Sequence, residues 1–212
     1  MDRARSGSLL RSMRKAHLLA PVTHGWGESR AYENLMQSPK SLTLLDFPLN
    51  RPPSEIMGRV RVLSRLGPVT ALIPAGYDPV PILNAGALDV LRRDGTVEEL
   101  AAKLMANQRW AATASFPDPS RQRDLTASMP KHRTQRVLLQ VLLRSPAPWC
   151  CHELSLLLGS GNQPLSRPAL RARIERLQPH LSRHGLMIAT SGRWKRIAYS
   201  LLSGTTSRPS VQ

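Results

Sequence analysis

The stretch Ser166-Arg167-Pro168-Ala169-Leu170-Arg171-Ala172-Arg173-Ile174-Glu175-Arg176-Leu177 carries the signals of a helix start and a helix face. Ser166 is a residue type that caps helix N-termini, and Pro168 falls in the first turn, where a missing N–H costs nothing. Leu170, Ile174, Leu177 and Leu181 recur three and four residues apart and form one apolar stripe. Arg167, Arg171, Arg173 and Arg176 fall mostly off that stripe, so the pattern predicts that they face outward. A charge run is usually a solvated helix face. Here four arginines stand within ten residues and Glu175 is the one intervening acid, which points to a polyanionic partner. Pro179 predicts a kink or an early end to this helix.

The elements on either side extend the pattern. Upstream, Thr134 to Arg144 places Val137, Leu138, Val141 and Leu142 at helical spacing, and Pro146 and Pro148 stop the run. A second helix is expected over Cys151–Leu158, ending at Gly159, and a loop rich in Gly, Asn and Pro leads to Ser166. Downstream of Gly185, Leu186–Thr190 reads as a strand and Ser191-Gly192 as a turn. Arg193-Trp194-Lys195-Arg196 follows, then a second strand over Ile197–Leu202. Helix, helix, basic helix and basic hairpin is the order of a winged helix-turn-helix. A helix fits the major groove of a duplex, where arginines pair with guanine edges or phosphates, and a basic hairpin tip reaches the neighbouring backbone or minor groove. The candidate DNA contacts are therefore Arg167, Arg171, Arg173, Arg176, Arg193, Trp194, Lys195 and Arg196. Trp194 reads equally as packing within the wing. His152, His180 and His184 read as surface or capping residues. Cys150 and Cys151 read as reduced residues in or near the core.

The chain has 212 residues and a formal charge of +16, with 41% apolar and 4% aromatic residues. Residues 1–130 carry 17 basic and 12 acidic residues, whereas 131–212 carry 13 and 2, so the surplus is concentrated in the C-terminal part. The domains expected are 1–112, a linker over 113–130, a basic domain over 131–204 and a disordered tail over 205–212. Adjacent cysteines exclude a disulfide-stapled scaffold. The sequence offers no apolar run long enough to span a bilayer, no ligand spacing for zinc, no nucleophile–His–acid spacing and no phosphate-cradling glycine loop. Neither an enzyme nor a cofactor or metal is predicted. Met1 to Ala20 has the Arg/Ser bias of a transit peptide, but Ser8–Ala16, with Leu9, Leu10 and Met13 on one side, is preferred as a short amphipathic helix of the first domain.

Leu138 to Leu201 resembles the effector domain of OmpR/PhoB-type response regulators. The residues that carry the resemblance are His152-Glu153-Leu154, Ala169 to Leu177, His184-Gly185-Leu186-Met187-Ile188-Ala189-Thr190 and Ala198-Tyr199-Ser200-Leu201. That family places a four-stranded sheet before its first helix, and the stretch preceding Thr134 is poor in strand pattern.

Residues 8–112 alternate helical and strand signals, which predicts an α/β layer fold. Strands are expected at His17–Thr23, Leu42–Phe47, Val69–Ile73 and Ala87–Leu91. Helices are expected at Glu28–Gln37, from Ser54 to Gly67-Pro68, at Val80–Asn84 and from Val97 to about Trp110, the last with Thr96 and Glu99 as a capping box. The succession resembles a degenerate receiver domain, a flavodoxin-like parallel sheet, that has lost its first strand. Leu44-Leu45-Asp46-Phe47-Pro48-Leu49, Pro68 to Leu72, Asn84 to Arg93 and Glu98-Glu99-Leu100 carry it. The resemblance puts Asp46 at the phosphoacceptor position, Ile73 at the hydroxyl position and Arg93 at the lysine position. The acidic pair that holds Mg²⁺ is missing, so efficient phosphorylation is not expected, and Asp46 is expected to pair with Arg93. The resemblance also implies a homodimer through a face with Asp89, Arg92, Glu98, Lys103 and Arg109. Taken together, it implies an atypical regulator in the bacterial cytoplasm, on the nucleoid. Its partners would be double-stranded promoter DNA and RNA polymerase, with no membrane. A ribosomal-type RNA-binding protein and a winged-helix plasmid replication initiator are the alternatives.

Overall fold

The computed structural model describes residues 11, 14–15, 22–38, 40–48, 51–113, 130–145, 147–160, 163–192 and 197–203. The chain divides into two compact units, Met1–Phe116 with Ser160–Asn162 and Pro117–Gly159 with Gln163–Gln212. Each unit has its own sheet, one parallel and one antiparallel. The expected linker lies, apart from its two ends, outside the described residues, as do the tail and most of Ser8–Ala16.

The first unit runs α1 (Ser29–Gln37), β1 (Thr43–Asp46), α2 (Pro53–Ser64), β2 (Val69–Ile73), α3 (Val80–Asn84), β3 (Asp89–Arg92) and α4 (Val97–Thr113). The three strands are parallel in the order β1-β2-β3, with Thr43 opposite Val69 and Thr70 opposite Asp89. The middle strand, Val69-Thr70-Ala71-Leu72-Ile73, is buried at every position. A parallel strand covered on both faces needs such a continuous apolar run. Ala71 and Ile73 look toward α2 and α3, where they pack with Phe47, Ile56, Val60, Ile82 and Ala85. Leu72 packs on the other face with Leu91 and with Leu104 of α4. Thr70, fully buried on that strand, accepts from Asn107 Nδ2 of α4 at 3.2 Å. Asn107 also donates to Asp89 Oδ2 at 2.9 Å, so one amide links α4 to both strands.

Several local expectations need correction. Pro52 rather than Ser54 caps α2, because Pro53 has the fixed φ suited to a first helical position and the Pro52 carbonyl accepts from Glu55 N–H at 3.0 Å. The third strand starts at Asp89 rather than Ala87: Gly86 turns the chain with φ +104° and Leu88 N–H first reaches the Val69 carbonyl at 2.7 Å. The last helix runs to Thr113, beyond Trp110, with Thr96 Oγ1 accepting from Glu99 N–H at 3.2 Å at its start. Val22 and Thr23 are not in a strand, and His17 to Pro21 lie outside the described residues. Among the described residues no strand pairs with the outer edge of β1.

The second unit runs α5 (Arg133–Arg144), β4 (Trp149–Cys150), α6 (Cys151–Leu158), α7 (Arg167–Ser182), β5 (Leu186–Ser191) and β6 (Ala198–Ser203). Its antiparallel sheet has the order β4-β6-β5. Trp149 stands opposite Tyr199, and β5 and β6 pair from Leu186–Ser203 to Ser191–Ala198. The two-residue β4 has no counterpart in the sequence reading. It is tied in by the Cys151 N–H donating to the Ile197 carbonyl at 2.7 Å. Cys150 then caps α6: its N–H donates to Glu153 Oε2 at 3.0 Å while its thiol accepts from the Glu153 N–H, a reciprocal capping box. Both thiols are free, Cys151 buried and Cys150 half-buried.

α7 begins where its sequence indicates, with Ser166 Oγ accepting from Ala169 N–H at 3.4 Å. It does not end early at Pro179 but continues to Ser182. The proline lies in the last turn, so its ring removes only the bond toward the Glu175 carbonyl and leaves the rest of the helix intact. Gly185, at φ +66°, then redirects the chain into β5. Among the described residues no helix is long and apolar enough to cross a membrane.

Candidate nucleic-acid interface

The outer face of α7 is built by what its inner face does. Leu170, Ile174, Leu177 and Leu181 are buried as one stripe against α5, α6 and β5. Burying that stripe removes about 1.5–3 kcal/mol per side chain of exposure cost and fixes the rotation of the helix. Arg167, Arg171 and Arg176 are then exposed. Arg171 Nε lies 3.2 Å from Glu175 Oε1, with side chains 79% and 66% exposed, a pair that water screens.

Arg173 is the exception to the outward expectation. It is half-buried, and its guanidinium donates to the Leu158 carbonyl at the end of α6, at 3.4 Å. Burial, and then the neighbouring Arg176 charge, hold its pKa below the usual arginine value. A carbonyl left over at a helix C-terminus needs a donor, and Arg173 supplies it. Its role is therefore to hold α7 against α6. Arg193, Trp194, Lys195 and Arg196 lie outside the described residues.

Two side chains that the sequence did not single out link α7 to its neighbours. Arg167 Nη2 lies 3.4 Å from Nε2 of His152 in the first turn of α6, and both side chains are exposed. Gln178 Oε1 accepts from Ile188 N–H at 3.1 Å, which ties α7 to β5 and covers a backbone donor on the sheet edge. The chain separations are fifteen and ten residues, across a loop or turn, so local pattern gives no signal for either contact.

In the first unit, Arg93 forms an ion pair with Asp46 through Nη2 and also donates to the Phe47 carbonyl at 2.9 Å. The guanidinium thus ties the end of β3 to the end of β1 across β2. Ile73, at the end of β2, is fully buried and has no group to hydrogen-bond an anion. Arg92, Glu98 and Arg109 are exposed. Asp89 is turned inward: its two oxygens accept from Asn107 and from Val90 N–H at 2.7 Å, so its charge is engaged within the unit. Lys103 is exposed but donates to Glu99 at 2.7 Å, and that bond raises its pKa.

Two outcomes follow from the Asp46–Arg93 pair. Acetyl phosphate should leave no label that depends on Asp46, as read by intact mass against Asp46→Asn; stoichiometric Asp46-dependent label would contradict this. Arg93→Met should destabilise the first unit by about 1–3 kcal/mol, because a half-buried carboxylate loses its partner. Urea unfolding with an unchanged midpoint would contradict it. No known protein family and no curated protein matches the chain.

Proposed function

We propose that this chain is a DNA-binding transcription regulator. In this reading the second unit is a winged helix-turn-helix, with α6 and α7 as the two helices and β5–β6 as the wing. The observation that carries it is the outer face of α7. Arg167, Arg171 and Arg176 are presented to solvent from a helix whose opposite stripe is locked in the core. Docked in a major groove, such a helix aims Arg171 and Arg176 at guanine edges and leaves Arg167 to the phosphates. Arg173 acts from inside by keeping α7 on α6.

The first unit is read as a degenerate receiver with Asp46 held by Arg93 and not serving as a phosphoacceptor. The protein acts as a homodimer through Arg92, Glu98 and Arg109, and the winged-helix surface also meets RNA polymerase. A ribosomal RNA-binding protein would be expected to carry its charge over tails and loops rather than on one helix and one hairpin. A plasmid replication initiator would share the DNA chemistry and differ in the site bound.

Fluorescence anisotropy of the full chain with a labelled duplex and with a single-stranded RNA of the same sequence tests this reading. Duplex binding whose affinity falls steeply with salt, and exceeds RNA binding, is expected. Equal or tighter binding of the RNA would overturn it.

A further inference from the structure

Arg167 and His152 come from the first turns of two different helices and meet at 3.4 Å. Arginine carries no acceptor, so in this contact the guanidinium donates and the imidazole Nε2 accepts. Glu153, next along α6, has its carboxylate turned back onto the Cys150 N–H at 3.0 Å. The Cys150 thiol accepts from the Glu153 N–H. Arg171 stands one turn further along α7, with its own carboxylate partner in Glu175. Among the described residues neither Arg167 nor His152 has a carboxylate partner. A second positive charge on the ring would be unfavourable there unless an anion bridged the pair.

We propose that Arg167 and His152 form a proton-linked clamp for one backbone phosphate of the DNA, so that binding takes up a proton on His152. This inference rests on the DNA-binding reading above. When a phosphate arrives, Arg167 turns its N–H groups from the ring to the phosphate oxygens. The freed Nε2 takes a proton from solvent and donates to the same phosphate, a charge-assisted bond that the neutral ring cannot make there. The first helix of a helix-turn-helix crosses the backbone, which is where α6 would hold the ring. Histidine is the side chain whose charge ordinarily changes between pH 5 and 8. The sign follows from linkage. A complex that holds one more proton than its free components gains affinity as pH falls, by at most about tenfold per pH unit.

The test is anisotropy of the full chain with a labelled mixed-sequence duplex at fixed salt, from pH 8 to pH 6. The protein should bind about threefold tighter or more at pH 6. His152→Gln should bind more weakly and with no pH dependence, and Arg167→Gln should also flatten the profile. His184→Gln, altered beyond the far end of α7, should keep the full tightening. Equal tightening in His152→Gln and the unaltered protein would overturn the clamp, as would a flat profile in the unaltered protein with duplex binding intact. Absence of duplex binding at every pH would overturn the DNA-binding reading and the clamp with it.

Discussion

Trp149→Ala is expected to cost the second unit about 3–5 kcal/mol, the largest stability effect of any single change considered. Trp149 heads the fully buried side chains by volume among the described residues and is 1% exposed. Its Nε1 donates to the Val141 carbonyl of α5 at 3.0 Å, and its backbone sits opposite Tyr199 in β6. One side chain therefore joins the first helix of the unit to its sheet. Truncation removes the ring's burial, leaves a cavity between α5 and β6 and takes away the indole donor. Domain stabilities are commonly about 5–15 kcal/mol, so this loss is a large share of the total. Urea unfolding followed by far-UV circular dichroism should show a transition shifted to much lower denaturant. A loss below about 1 kcal/mol would mean that the site collapses around the gap and that the ring does not organise the unit.

Arg171→Ala with Arg176→Ala should weaken duplex binding by about 10- to 100-fold at moderate salt. Each good arginine–guanine pair discriminates by about 1–3 kcal/mol, and the Arg171–Glu175 pair offsets part of the gain. Both side chains are exposed and neither packs in the core stripe, so the variant should fold as the unaltered protein does. Arg173→Ala should behave differently. It leaves the Leu158 carbonyl without that donor and should lower stability along with affinity. Anisotropy and urea unfolding on the same samples separate the two behaviours. A loss of affinity under threefold in the Arg171/Arg176 variant would show that α7 does not face the duplex.

Much of the α/β order was legible in the sequence because its signals are local. The Leu170–Leu181 stripe and the Ser166 cap mark α7, and the Val69–Ile73 run marks a buried parallel strand. What was missed depends on contacts distant in the chain. β4 is two residues long, too short to alternate, and becomes a strand only because β6 returns to pair with it. The third strand shifted by two residues because the Gly86 turn, not the apolar run, sets its start. The rotation of α7 was predictable from its stripe, but the depth of Arg173 was not, since it depends on where α6 ends. The Asp46–Arg93 pairing was legible only through the resemblance to a receiver, which sets the two residues at one site.

The most direct test of the central claim is selection of duplexes from a random-sequence pool by the full chain, followed by sequencing. The account predicts one enriched motif, containing guanines, that disappears in the Arg171→Ala/Arg176→Ala variant. The motif should persist, at lower overall affinity, in Arg167→Gln, which would remove the proposed phosphate contact. A pool that stays unenriched, or a motif that the Arg171/Arg176 variant selects equally well, would contradict sequence-reading by α7.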